Sequence, residues 1–101
     1  GTALGDPIEV GAQRAVYGKG RTDPLTLGAL KSNLGHLEGS AGVAGLSKVM
    51  MMLQKALIPT NLWLHDLNSN IELTNFPVLM PTELLDWRKV QQRSSVSSFG
   101  F

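Results

Sequence analysis

Apolar and polar positions follow different rhythms in successive parts of this chain. In the first eighteen residues Ile8, Ala12, Ala15 and Val16 recur at helical spacing, so an amphipathic helix is expected there. Asp6 suits the N-cap, Pro7 the first helical position, and Glu9 completes a capping-box-like pattern. The helix is expected to run to about Tyr17 and to end at Gly18. The polar stretch Gly18 to Pro24 reads as an exposed turn. Leu25 to Leu30 is a short apolar run around Gly28, expected to be a buried strand.

A second helix is expected from about Ser40 to Ala56. Val43, Leu46, Met50, Leu53 and Leu57 carry the three- and four-residue spacing, and Val49, Met52 and Ala56 widen the apolar face. That helix is apolar on nearly every side, which implies partners from the missing half of the domain, with the three consecutive methionines as adaptable core filling. Ile58-Pro-Thr-Asn-Leu62 turns the chain into an extended segment, and residues 63–77 read as irregular. Val78 to Met80 and Leu84 to Trp87 read as short strands around Pro81, Arg88 to Arg93 as a solvated link, and Ser94 to Ser98 as a small-residue strand. No internal repeat and no linker divides the chain.

Between the expected strand and the second helix lies Lys31-Ser-Asn-Leu-Gly-His-Leu-Glu-Gly-Ser-Ala-Gly42. A lysine, a histidine and a glutamate stand here among Gly35, Gly39, Gly42 and Gly45, with Gly28 just upstream. A strand, a glycine-rich turn and an apolar helix commonly present side chains at the rim of an α/β sheet. Ionisable groups between two apolar elements are expected near the low-dielectric interior. The small residues Gly39, Ser40, Ala41, Gly42, Ala44 and Gly45 allow another backbone or a substrate to come close. Two other leads fail. The stretch Gly39 to Lys48 lacks the Gly-Lys-Ser/Thr ending of a phosphate loop, and His65-Asp66 has no third ligand at metal spacing.

The totals narrow the classes. With 101 residues, 43% hydrophobic and 17% charged, the composition is globular. A net charge of +1 carries no electrostatic footprint for nucleic acid. There is no cysteine, hence no disulfide and no thiolate nucleophile in this sequence. Lys48, Gln54 and Lys55 interrupt the best membrane candidate, so a buried helix of a soluble protein without a membrane span is expected, with a cytoplasmic location the first expectation and an organelle left open. Both ends look cut, and the chain reads as a piece of a larger domain.

The residues resemble the C-terminal half of a β-ketoacyl synthase, the condensing domain of polyketide and fatty acid synthases. Gly1-Thr-Ala-Leu-Gly-Asp-Pro-Ile-Glu9 is similar to the end of that family's His-Gly-Thr-Gly-Thr block. Lys31 to Gly42 resembles its lysine and histidine block, and Val96-Ser-Ser-Phe-Gly-Phe101 the start of its Ser-Phe-Gly-Phe-Gly-Gly-Thr-Asn block. Ile58-Pro-Thr-Asn-Leu62 is a weaker fourth match. The matches are collinear and span the chain. The Gly-His-Leu-Glu-Gly wording is closer to polyketide synthases than to stand-alone bacterial fatty acid enzymes.

The resemblance implies an α/β, thiolase-like fold with layers α-β-α-β-α, residues 1–101 supplying most of the second half as one partial domain truncated at both ends. It implies an acyltransferase that performs a decarboxylative Claisen condensation between an enzyme-bound acyl group and a malonyl-type thioester on acyl carrier protein. No cofactor would be bound directly, since the substrates ride on the carrier's phosphopantetheine. Partners would be acyl carrier protein, the rest of the domain and a second copy in a homodimer. His36 matches the second catalytic histidine and Lys31 the active-site lysine. Thr2 matches the threonine that bonds the pantetheine arm. Phe101 matches the oxyanion donor and acyl-pocket gate. Asp6, Glu9 and Glu38 match or neighbour a supporting acidic network. The family's nucleophilic cysteine and first histidine would precede Gly1, and Gly45 stands where some fatty acid synthase relatives carry a glutamate paired with the lysine. Glu38 or Glu9 is left to serve that lysine. A non-condensing homologue that binds acyl chains or partners an active subunit would differ at the upstream cysteine.

Overall fold

A computed structural model describes residues 2–88 and 91–99. The chain falls into two compact units, residues 1–27 with 64–80 and residues 28–63 with 81–101.

In the first unit, helix α1 spans Gly5–Tyr17. It begins one residue before the expected cap. Leu4 occupies the N-cap position without a side-chain cap bond, and Thr2 supplies the capping oxygen instead, its Oγ1 accepting the Gly5 N–H at 2.8 Å. Asp6 therefore lies inside the first turn, where its charge complements the helix dipole. Its carboxylate accepts the Thr2 N–H at 3.3 Å, and its own N–H donates to the Thr2 carbonyl at 3.2 Å. Glu9 is half-buried along the helix and closes no capping box, because the cap is not Asp6. The expected end holds, with Gly18 as C-cap donating to Arg14 O.

The inward face of α1 differs from the expected one. Ile8 and Val16 are 73% and 72% exposed, whereas Val10 is buried. The Val10–Arg14 side faces inward, and on it Arg14 donates to the Thr74 carbonyl. Strand β1 (Leu25–Thr26) pairs in parallel with β3 (Val78–Leu79), Leu25 opposite Val78. Phe76, 3% exposed, packs where a Cβ on Gly18 would meet its ring at 3.2 Å.

In the second unit, α2 (Lys31–Leu34) is a single helical turn. A 3-10 turn at Glu38–Ser40 leads into α3, Ala41–Lys55. Ala56 closes α3 in the left-handed region. Strand β2 (Leu57–Ile58) then pairs antiparallel with β4 (Leu85–Asp86), and the Trp87 N–H donates to Ala56 O at 2.8 Å. The expected strand Leu25 to Leu30 is thus shorter. Its ladder stops after Leu27, because the Ala29 N–H is taken by the Asn61 side chain at 2.7 Å.

Within these residues the apolar sides of helix α3 stand largely uncovered, as expected of a helix whose cover comes from the rest of the domain. Gly45 is its buried residue, while Val43, Leu46, Met50, Met51 and Leu53 are exposed. The methionines therefore do not fill a core within this chain. The expected strand Ser94 to Ser98 has no ladder partner among the described residues. It packs on α3 instead, Val96 over Gly45 and Ser98 over Gly42. A Cβ at Gly45 would lie 2.7 Å from Val96 Cγ1, so the small residues of α3 do admit a close approach, here by the Val96 side chain. No helix among the described residues is long and apolar enough to cross a membrane.

Candidate functional site

Two groups of candidate residues stand in two different units. In the first unit Thr2 and Asp6 meet at the start of α1 through the bonds given above. Thr2 Oγ1 uses one lone pair on the Gly5 N–H, which leaves its own O–H to donate outward. The arrangement needs a glycine at 5, since a Cβ there would lie 2.6 Å from Thr2 Oγ1.

In the second unit the turn Gly35–Glu38 shapes the imidazole. Gly35 has φ +74° and ψ −170°, a region open essentially to glycine alone. Glu38 is left-handed at φ 46°. These two residues fold the chain so that the Glu38 N–H donates to His36 Nδ1 at 3.1 Å. A nitrogen that accepts a hydrogen bond carries no proton, so neutral His36 holds its proton on Nε2. That N–H is the group it can offer to a ligand.

Lys31 opens α2, and its carbonyl accepts the Gly35 N–H at 2.9 Å. Lys31, His36 and Glu38 are all exposed in this chain. The expectation of a low-dielectric surround is thus not met within these residues, because the apolar face of α3 points to solvent rather than over the turn. No ion pair joins Glu38 to Lys31 among the described residues, and Gly45 beneath Val96 leaves no room for an acid. Phe101 lies outside the described residues.

Sequence reasoning passed over two residues that hold this turn. Lys48, half-buried on α3, donates from Nζ to Ala29 O and to Asn33 Oδ1, each at 3.2 Å. Burial holds its ammonium below the usual lysine range. Asn61 accepts the Ala29 N–H and donates to the Pro81 carbonyl at 3.3 Å. The signal for Lys48 was present: it is the only charged residue between Glu38 and Lys55. Asn61 stood in the weakest of the four motif matches.

Residues 1–65 match the family described as the C-terminal domain of β-ketoacyl synthase. The chain belongs to the β-ketoacyl synthase family. Along its whole length it is 41% identical to a reducing polyketide synthase of Gibberella moniliformis, of which it spans 4%. Over 99% of its length it is 44% identical to a component of the phenolphthiocerol/phthiocerol polyketide synthase of Mycobacterium tuberculosis, spanning 7% of that protein. The structure of ketosynthase twelve from the bacillaene polyketide synthase of Bacillus amyloliquefaciens superposes with a TM-score of 0.80 at 31% identity, covering 90% of this chain and 17% of that one. The fold is accordingly the α/β, thiolase-like fold of ketosynthases, in the segment shared with that structure. This ketosynthase segment covers only a small fraction of each relative's length.

Proposed function

We propose that these residues form part of the condensing site of a β-ketoacyl synthase in polyketide biosynthesis, acting on thioesters carried by acyl carrier protein. A cysteine thiolate of the domain first attacks the carrier thioester, the C–S bond to the carrier's pantetheine breaks, and the acyl group passes to the cysteine as the carrier thiolate leaves. A malonyl-type thioester then loses carbon dioxide, and its C–C bonding pair becomes an enolate. The enolate carbon attacks the acyl-enzyme carbonyl, a C–C bond forms, and the cysteine thiolate leaves, giving a β-ketoacyl thioester on the carrier. The observation that supports the role of His36 is the bond from Glu38 N–H to Nδ1, which leaves Nε2–H to donate to the thioester oxygen as the enolate forms. Charge that grows in the transition state is what such a donor stabilises. Lys31 contributes a cation that favours that negative charge. The Thr2 hydroxyl donates to the pantetheine arm, Asp6 holds Thr2 in place, and the Phe101 N–H serves the acyl-enzyme oxyanion. Acyl carrier protein, the remainder of the domain and a homodimeric copy are the partners in this reading, with Glu9 and Glu38 as outlying members of the charge network.

His36→Ala in an intact condensing enzyme carrying this segment should lower malonyl decarboxylation by about 10²–10³, the range for losing one oxyanion donor. Acyl loading of the cysteine should persist. Decarboxylation at the parental rate would overturn the assignment.

A further inference from the structure

Lys48 is in an expensive position for a cation. It is half-buried, its two acceptors are the neutral Ala29 carbonyl and the neutral Asn33 amide oxygen, and no carboxylate pairs with it among the described residues. Burial without a counter-charge disfavours an ammonium. Three methionines follow on the same helix, so an apolar side chain of similar length is at home in this stretch. The cation must therefore be judged by what it holds.

What it holds is the frame around Lys31. Ala29 O accepts both Lys48 Nζ and the Ser32 hydroxyl, the latter at 3.0 Å, while the Ala29 N–H goes to Asn61. Both polar groups of Ala29 are thus withdrawn from the strand ladder, and the chain is released into α2. Nζ also binds Asn33, one turn further along the same backbone. Lys48 bridges the residues on either side of Lys31. The end of α2 feeds directly into Gly35 and the His36–Glu38 bond.

We propose that Lys48 is a positioning residue for the condensing reaction: from α3 it clamps Ala29 and Asn33, and so sets the pose of the turn that carries Lys31 and His36. This inference rests on the role assigned to His36 under the proposed function. A ketosynthase turn held from one flank only would swing about Gly35. A displacement near 1 Å of a catalytic group costs up to about a hundredfold in rate.

The test uses an intact condensing enzyme carrying this segment, with four forms: Lys48→Met, Lys48→Arg, His36→Ala and the double variant His36→Ala/Lys48→Met. Lys48→Met should lower kcat for malonyl decarboxylation by about ten- to a hundredfold, with KM within twofold and acyl loading of the cysteine retained. Lys48→Arg, which keeps charge and donors, should recover most of the loss. In the double variant Lys48→Met should add less than its own single effect to His36→Ala, since it acts in part through that residue. Equal losses in loading and decarboxylation, an unchanged kcat, or full additivity with His36→Ala would each overturn the proposal. A crystal structure of the Lys48→Met enzyme separates this proposal from the one it rests on. In that variant the turn carrying Lys31 and His36 should be displaced by about 1 Å relative to α3, and an unmoved turn defeats the clamp. An unchanged rate in His36→Ala, by contrast, defeats only the assignment of His36.

Discussion

The turn at Thr2 and the turn at His36 solve one problem in two ways. Each presents a side-chain donor by spending that side chain's acceptor on a nearby backbone N–H. Thr2 Oγ1 receives Gly5, three residues on, and His36 Nδ1 receives Glu38, two residues on. The difference lies in what holds the turn. The Thr2 turn leans on the helix it starts, and everything it needs lies within residues 2–6. The His36 turn has one helical turn before it and a backbone that only glycine tolerates at 35. Its frame comes from Lys48 on α3 and from Asn61. In the proposed reading, a hydroxyl that binds a flexible arm can rest on a local device, whereas an imidazole that meets a developing charge is braced from far along the chain.

The largest way to break this contrast lies at Gly35. Gly35→Ala forces a side chain into the ε region, a strain of about 1–3 kcal/mol. Decarboxylation should fall by tenfold or more while acyl loading holds, as radiolabelled malonyl-carrier assays will read. Retained decarboxylation would mean that the imidazole does not depend on this turn. A smaller effect is expected at the other turn. Thr2→Val removes the capping oxygen, worth about 1 kcal/mol, and the proposed donor to the pantetheine arm. The melting temperature should drop by a few degrees and KM for the carrier-borne substrate should rise several-fold at nearly constant kcat. A fall in kcat alone would place Thr2 with His36 instead. The smallest effect concerns the loop that braces α1. Glu72 accepts the Thr74 N–H at 2.8 Å and the Thr74 hydroxyl. The hydroxyl bond chiefly, then the backbone bond and the Arg14 charge, hold its carboxyl below the usual glutamate range. A carboxyl depressed by folding stabilises above its unfolded pKa, and the gain is lost as pH falls through the folded value. Glu72→Gln should therefore melt slightly earlier than the parent near neutrality, and the two should converge under acid. The group is fully exposed, so the gap should shrink in high salt.

Much of this was readable in advance. The extent of α1 to Tyr17, the α3 span, and the extended pieces at Val78 and Leu85 follow from periodicity and from glycine and proline punctuation. The family follows from Lys31 to Gly42 alone. Three things were hidden for physical reasons. Thr2 displaced Asp6 as the cap because its hydroxyl accepts the N–H of Gly5, three residues on, so the ordinary N-cap geometry sits four residues earlier than the Asp6-Pro7 pair suggested. The strand after Leu25 was shortened by Asn61, 32 residues away from Ala29, and such a pairing leaves no local pattern. The inward face of α1 escaped the apolar count because it carries Val10 in the core and Arg14 on the Thr74 carbonyl, and a partner 60 positions away leaves no local pattern. Lys48 was visible but looked like a flaw in an apolar helix.

The packing of Val96 on Gly45 makes two positions far apart in the chain depend on each other during descent. A β-branched valine has little rotational freedom to yield, so any side chain at 45 must displace the segment that Val96 anchors. An acidic residue there, of the kind that pairs with the lysine in some fatty acid synthase relatives, is thus admissible only after position 96 has shrunk, or together with it. The reverse order passes through an overpacked intermediate, costing about 1–3 kcal/mol. Substitutions at 45 and 96 should therefore be epistatic, and a glycine with no chemistry of its own governs whether this branch can change the charge beside its lysine.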